Sequence, residues 1–463
     1  MPEWITVAPD APYFVTETGA PWTPIGQNDA ITWPELKGLF RNRDLATAEE
    51  YLATLRDHGV TCLRLMLEYA HKNHRYIENP IGRFVPAMVD LWDTLFRLCE
   101  KYELRILLTP FDTFWTWRRW QHHPYNQRNG GLLDHPSRLL LCGETREAIK
   151  ARLSFATERW GGSGVLFAWD LWNEIHPGQA QESSDCFGEF IHDLSTHVRE
   201  VETRLHGRAH PQTVSLFGPE IAWRPTMPLR EPIFRHPALD FANLHIYEHG
   251  TIDHPKDTVA AAIGMGKIVR EALAEIEDGR PFFDSEHGPI HSFKDRKINL
   301  PEAFDDEYFR HMSWAHLASG GVGGGMRWPN RHPHVLTAGM RLAQRAMAGF
   351  LPLINWQRFR RETLAVRAPG FHALGCGDSG QAVVWLVRRG GRLADGRVDQ
   401  AAGGAAHGVT VPMPAGRYAI TGWDTRAGRP HCRIEAVAER QGLAFKVEGM
   451  AGDCAFAIRR IGG

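Results

Sequence analysis

The chain has 463 residues, more than the roughly 250 of a plain eight-stranded α/β barrel, so insertions or a second domain are expected. Its 43% of hydrophobic residues suffice for a large core, and a formal net charge of −1 excludes a partner gripped by bulk electrostatics, such as nucleic acid or an anionic membrane. Seven cysteines, at 62, 99, 142, 186, 376, 432 and 454, are odd in number and free of CxxC spacing, which argues against a disulfide frame or a cysteine zinc site.

The opening Met-Pro-Glu-Trp-Ile-Thr lacks the basic head and apolar core of a signal peptide, and no run of about 18 apolar residues is long enough to span a membrane. A soluble, cytoplasmic protein is the expectation.

Residues 13–22 read as a hairpin able to plug the floor of a barrel, and 24–28 as strand 1. Thr47 with Glu50 makes a capping box, Tyr51, Leu52 and Leu55 follow at helical spacing, and Gly59 ends that helix. Strand 2 covers 60–67, and Pro86 opens a helix striped by Met88, Leu91, Leu95, Leu98, Cys99 and Tyr102. Strand 3 covers 105–110. The segment 111–143 then reads as the longest non-helical stretch, carrying Phe114, Trp115, Trp117, Trp120 and Tyr125. Loops longer than about 12–15 residues are usually functional or disordered, and this one is too aromatic for disorder. It is expected to wall one end of a cleft, or to act as a lid against a second subunit.

A helix over 144–160 stops at Gly161-Gly162, and strand 4 covers 165–171. Helix 185–203, strand 5 at 213–217, strand 6 at 241–245, helix 256–276, strand 7 at 281–285, helix 302–318, strand 8 at 321–326 and helix 335–349 complete the series. Eight strand–helix alternations argue for a parallel (β/α)₈ barrel over a doubly wound sheet. After residue 350 the helical signal stops, and short apolar runs at 381–387, 409–412, 417–423, 432–437, 443–447 and 455–459 suggest an antiparallel β-sandwich, with 390–408 as a loop. The expected division is a barrel with its hairpin over 1–355 and an all-β domain over 356–463. The join at 351–361 has none of the Gly/Ser or Pro/Thr composition of a flexible linker, so the second domain should pack on the first.

Two glutamates stand out. Glu174 closes Phe167-Ala-Trp-Asp-Leu-Trp-Asn-Glu174 and Glu286 closes Pro281-Phe-Phe-Asp-Ser-Glu286, at the ends of strands 4 and 7. Strand C-termini are where such barrels carry chemistry, and two facing carboxyl groups supply the proton donor and the nucleophile or base that glycosidic bonds require. Other strand ends carry Arg64, Asn173, His245, Tyr247 and Trp328. Glu68, Asp112, Glu220, Glu248 and Asp284 also lie near strand ends, and most should support the site or face solvent. His122-His123 and His332 with His334 lack a third ligand at metal spacing. HExxH, a GxGxxG after strand 1 and a Walker motif are absent too, so no metal or other cofactor is expected.

This set, in this order, resembles clan A of the glycoside hydrolases, most closely the family 5 cellulase and mannanase group, over about residues 13–350. The resemblance implies that Glu174 is the general acid/base and Glu286 the nucleophile. Asn173 would hydrogen-bond the sugar 2-hydroxyl, Arg64 and Tyr247 would hold the nucleophile ionised and oriented, and His245 would lie near the acid/base. Trp328 would be the platform under the sugar being cleaved. On this view Arg64 should lower the pKa of Glu286, while an apolar setting with Trp169 and Trp172 keeps Glu174 protonated. The chain departs from the pattern in Thr109-Pro-Phe-Asp-Thr-Phe-Trp115, where family members often place a histidine; Asp112 is the candidate substitute and Trp115 a further substrate contact. The C-terminal region looks like the small β-domains appended to several clan A enzymes.

The implied activity is a retaining β-glycoside hydrolase on β-mannosides or related short β-linked oligosaccharides. A β-glucosidase or cellulase-type hydrolase, a transglycosylase and an inactive sugar-binding protein are the alternatives. The implied partner is an oligosaccharide or glycoside, not nucleic acid or membrane, with a homo-oligomer left open.

Overall fold

A computed structural model describes residues 2–69, 75–247, 255–290, 299–401 and 406–462. Runs such as Cys62–Met66 and Leu166–Asp170 are buried along their whole length, as strands covered on both faces must be. The eight barrel strands are Gly26–Asp29, Cys62–Met66, Arg105–Thr109, Leu166–Asp170, a fifth split into Gln212–Thr213 and Ser215–Phe217, Ala242–Ile246, Phe282–His287 and Met326–Arg327. All neighbours pair in parallel. The sheet closes because strand 5 pairs through its first half with strand 4 and through its second half with strand 6, while strand 8 returns to strand 1.

Helices Leu45–Asp57, Pro86–Lys101, Gly143–Trp160, Phe187–His206, Thr258–Ala274, Glu302–Ala318 and Ala338–Phe350 follow strands in the expected order. After strand 5, two short helices, Pro219–Trp223 and Glu231–Phe234, stand where a full helix would be. The capping box at Thr47 is corrected: the helix begins at Leu45, and the Asp44 carboxylate accepts the Thr47 N–H at 3.1 Å. The stretch 111–143 is also not without helix. It holds the helix Thr113–Arg118, capped by Asp112, and single turns at Trp120–His122, Gln127–Asn129 and Pro136–Arg138. Its crowded aromatic residues obscure any helical stripe, and Asp112 was the overlooked start signal.

At the other end of the barrel, Ile5–Val7, Phe14–Thr16 and Pro21–Trp22 form a small antiparallel sheet. The Phe14 ring meets Phe167 and Phe241 edge-on, with centroids 4.9 and 5.3 Å away, and Trp22 lies 4.5 Å from Phe167. Phe167 and Phe241 stand at the start of strands 4 and 6, so the hairpin seals the floor and leaves the strand C-termini open.

The C-terminal strands are Glu362–Thr363, Phe371–Gly377, Gln381–Arg388, His407–Val411, Gly416–Asp424, Arg429–Glu439, Gly442–Val447 and Asp453–Arg460. They form one antiparallel sheet, and the facing layers of the expected sandwich are two halves of it. Val384 and Phe456 pack with Val411, Leu443 and Phe445 in one apolar cluster, and a backbone bridge from Arg367 to Thr410 ties the two ends together. The first two strands were not anticipated, because Phe-His-Ala-Leu-Gly-Cys-Gly lacks clean alternation.

The opposite face, with Val383, Trp385, Trp423, Ala455 and Ala457, joins the barrel core. Buried Asp453 accepts from Arg310 at 3.1 Å, Trp385 at 3.2 Å and Thr425 at 2.5 Å, and the Trp423 indole donates to the Ala346 carbonyl at 3.1 Å. The sheet is thus packed on the helices Glu302–Ala318 and Ala338–Phe350, not tethered. All seven cysteines are unbridged, and among the described residues no helix is long and apolar enough to cross a membrane.

Candidate active site

Arg64 is the hub of the open end. Strand 2 delivers its guanidinium into the barrel interior, fully buried, where only charged and polar partners can offset the loss of water. It donates to Asn28 Oδ1 at 2.8 Å, to Glu286 Oε2 at 3.0 Å, to Asp170 Oδ2 at 2.7 Å and to Asn173 Oδ1 at 2.5 Å. One cation therefore aligns residues from strands 1, 4 and 7. Tyr247 donates its hydroxyl to the other Glu286 oxygen at 2.5 Å. Asn173 is gripped from both ends, since its amide N–H donates to Asp112 Oδ1 at 2.5 Å.

Glu174 adopts a left-handed backbone, φ 50°, which is strained for a residue with a side chain, and its N–H is caught by Ser215 Oγ at 3.0 Å. This bend turns the carboxyl into the barrel mouth. There its Oε1 lies 2.8 Å from His245 Nδ1, while His245 Nε2 lies 3.2 Å from Ser285 Oγ. One oxygen of Glu174, one of Glu286 and a ring nitrogen of His245 all lie within 4.8 Å of one another.

Burial dominates the titration of this group. It raises Glu174 to about 7 against the opposing pull of Arg64, lowers His245 to about 4 and raises Asp112 to about 7. Burial also raises Glu286, which corrects the expectation that Arg64 would bring it below its ordinary range. His245, Arg64 and the Tyr247 hydroxyl oppose that rise, and the charge of Glu174 adds to it. Trp169 and Trp172 are not part of the Glu174 environment either. Trp169 points outward from strand 4, where its indole donates to Glu202 at 2.9 Å, and Trp172, two residues past the strand, stacks on Phe111 with centroids 5.1 Å apart.

The two glutamates open onto a cleft of about 650 Å³ lined also by Asp112, Asn173, Tyr247, Trp115 and Trp328. Trp33, Tyr69, Trp115 and Trp328 form one aromatic wall: Trp328 lies 5.3 Å from Trp33 and 5.6 Å from Tyr69, and Trp115 lies 5.1 Å from Tyr69. Phe114 and Trp117, on the helix Thr113–Arg118, continue the wall, as the segment was expected to do.

No family model and no curated protein matches the sequence. Solved structures do match in shape. A glycoside hydrolase superposes with a TM-score of 0.61 at 14% identity, covering 99% of this chain and 97% of its own. A family 5 mannosidase from Rhizomucor miehei gives 0.53 at 15% identity over 70% of this chain and 85% of its own. A putative glycoside hydrolase from Bacteroides vulgatus gives 0.55 at 12% identity, covering 99% and 82%. The chain has the fold of the family 5 glycoside hydrolases.

Of the residues expected at the site, Glu174, Glu286, Arg64, Asn173, His245, Tyr247 and Asp112 form one hydrogen-bonded group, and Trp115 and Trp328 stand across the cleft. Both Asp112 oxygens are engaged inside the protein, by Asn173 and by the Trp115 N–H, so it positions Asn173 and caps its helix. Of the competing acids, Glu68 pairs with Arg152 at 3.1 Å, Glu220 with Arg224 at 2.8 Å, and Asp284 with His287 at 2.7 Å. Glu248 lies outside the described residues.

Sequence reading missed Asn28, Asp170, Ser215 and Ser285. Asp170 takes Arg64, the Ser215 N–H at 3.0 Å and the Ser215 hydroxyl at 3.1 Å, and Asn28 donates to the Ser285 carbonyl at 2.9 Å. An aspartate inside an otherwise apolar strand was the available signal. Among the described residues, Glu174, His245 and Glu286 are the one group spaced to offer three donors to a metal ion. Arg64 and Tyr247 already occupy Glu286, and a cation there would have to displace the guanidinium.

Proposed function

We propose that this protein is a retaining β-glycoside hydrolase. The observation that carries the reading is the spacing and asymmetry of the glutamates. Their nearest oxygens lie within 4.8 Å, in keeping with the roughly 5–5.5 Å between carboxyl groups of retaining enzymes. Two carboxyl groups this close in a buried site do not both ionise readily, so the pair holds a proton near neutral pH. Two donors favour the charge on Glu286, and Glu174, raised to about 7, keeps the proton.

Glu286 attacks the anomeric carbon while Glu174 protonates the departing oxygen; a glycosyl-enzyme forms, and Glu174 then takes a proton from the water that releases it. Neutral His245 follows this change. It accepts from protonated Glu174 at Nδ1 while donating from Nε2 to Ser285, and with ionised Glu174 the reverse tautomer donates from Nδ1. Asn173, held by Arg64 and Asp112, presents its amide to the sugar 2-hydroxyl, and Trp328 offers its face to the ring. No cofactor takes part in these steps.

Mannose-configured substrates, as in the name of the Rhizomucor miehei neighbour, are the preferred reading over glucosides. The unbridged cysteines support a reducing, cytoplasmic setting, and such a setting favours short β-linked oligosaccharides over polymers. The deciding experiment is a panel of aryl β-mannosides, β-glucosides and their α-anomers, followed by proton NMR of the first product. Release of the β-anomer from a β-mannoside is expected. Release of the α-anomer would refute retention, and hydrolysis of the glucoside alone would refute the mannoside assignment. Product analysis at high acceptor concentration separates hydrolysis from transglycosylation, which the aromatic cleft would favour if it held an acceptor sugar better than water.

A further inference from the structure

The charges along the cleft are unevenly matched. Its acids have hydrogen-bond partners inside the protein: Glu174 has His245, Glu286 has Arg64 and Tyr247, Asp112 has Asn173, and Glu182 and Glu220 share Arg224 at 2.9 and 2.8 Å. Two cations of the same cleft have no such partner. Arg118 and Arg119, at the end of the helix Thr113–Arg118, line the cleft, and among the described residues neither side chain has a hydrogen bond or an ion pair. Their guanidinium carbons lie 5.8 Å from the Phe114 ring centroid and 5.6 Å from that of Trp115, contacts that supply the N–H groups with no acceptor oxygen. Arg119 Nε is buried without an acceptor, a costly arrangement for a charged donor. Beside them Trp117 is 38% exposed, enough to stack a sugar ring, and Trp115, Trp117, Arg118 and Arg119 enclose a side pocket of about 350 Å³.

We infer that the cleft takes a β-linked substrate bearing an oxyanion, its charged sugar lying on Trp117 with the oxyanion between Arg118 and Arg119. Guanidinium forks match the geometry of carboxylate, phosphate and sulfate oxygens, and a wholly neutral sugar would leave both donors unpaired. The inference rests on the glycosidase reading and adds the chemical class of the substrate.

The test compares β-linked disaccharides of one configuration whose leaving sugar carries a carboxylate, the methyl ester of that carboxylate, or a phosphate or sulfate ester. Two quantities are read: the kcat/KM ratio of anionic to neutral substrate, and the Kd of each by calorimetry on the Glu174→Gln enzyme. The native cleft should prefer an oxyanion by about tenfold or more. That ratio should fall toward one in Arg118→Gln/Arg119→Gln and at high salt, and part of it should return in the paired lysine variant. Preference for any of the oxyanions supports the inference, and the arm with the largest ratio names the group. A ratio near one in the native enzyme, or a preference untouched by the glutamine variant, overturns it. Should no disaccharide be cleaved, the glycosidase reading fails, while the calorimetric preference still decides the role of the two arginines.

Discussion

At the scale of single residues, the two glutamates should be separable by leaving group. Glu286→Ala loses the bond-forming step for every substrate. Glu174→Ala loses only proton transfer, roughly 10²–10⁴-fold, so a dinitrophenyl glycoside, whose leaving group needs no proton, should still glycosylate Glu286. Azide should then restore turnover and yield a β-glycosyl azide; an α-azide would mean that the roles are exchanged. The pH profile follows from the same assignment. Glu174 must be protonated, so kcat/KM should fall as pH rises through about 7, and this basic limb should vanish with the dinitrophenyl substrate. Glu286 must be ionised, and Tyr247 donates to that form at 2.5 Å. Tyr247→Phe should therefore move the acidic limb upward by about one to two pH units, the worth of one hydrogen bond to a charge. An unmoved acidic limb would take Tyr247 out of the assignment.

At the scale of elements, the geometry of the barrel mouth depends on close backbone approaches and short caps. A Cβ at Gly26 would stand 1.7 Å from the Cys62 carbonyl oxygen, inside the pairing of strands 1 and 2. Gly26→Ala should either abolish soluble expression or lower the melting temperature strongly, with Gly143→Ala, which meets open space, as the control. Asp112 serves two elements at once, capping the helix Thr113–Arg118 and clamping Asn173. Asp112→Ala should cost about 1 kcal/mol in stability as a lost cap. It should also lower kcat by freeing Asn173, a second effect that a mere cap would not produce.

At the scale of the whole molecule, the antiparallel sheet and the barrel share a buried ionic contact. Burial alone would raise the Asp453 carboxyl, but Arg310, His311 and the Thr425 hydroxyl overcome it and hold the group well below the ordinary carboxylate range. A depressed folded-state pKa contributes stability that is fully present above the unfolded value near 4. It is lost as pH falls toward the folded one. Asp453→Ala leaves Arg310 buried without its partner and should cost about 3–5 kcal/mol, with less acid sensitivity below pH 4 than the native protein. Because Trp385 and Trp423 join the barrel core through the same face, calorimetry should record barrel and sheet unfolding in one transition. Two separated transitions would show that the interface is weaker than its burial implies.

By itself the sequence determined the alternation of elements and the residues at the strand ends, because apolar runs and helix punctuation are local signals. Asn173, Glu174, His245, Tyr247 and Glu286 were legible for that reason, each standing at or just past the C-terminal end of a strand, whereas Arg64 stands inside strand 2 and was singled out by the family resemblance. The other residues that act from inside the barrel were not legible. Asn28, Asp170, Ser215 and Ser285 come from strands 1, 4, 5 and 7, and only closure of the sheet brings Asn28 and Asp170 onto Arg64, Ser215 onto Asp170 and Ser285 onto His245. The direction in which Trp169 points was likewise tertiary, since strand residues alternate between two faces and the barrel alone decides which is inside. The titration of Glu286 was tertiary as well. Neighbouring charge can be guessed from residue types, but desolvation depends on how completely the surrounding elements exclude water, and here it outweighs Arg64.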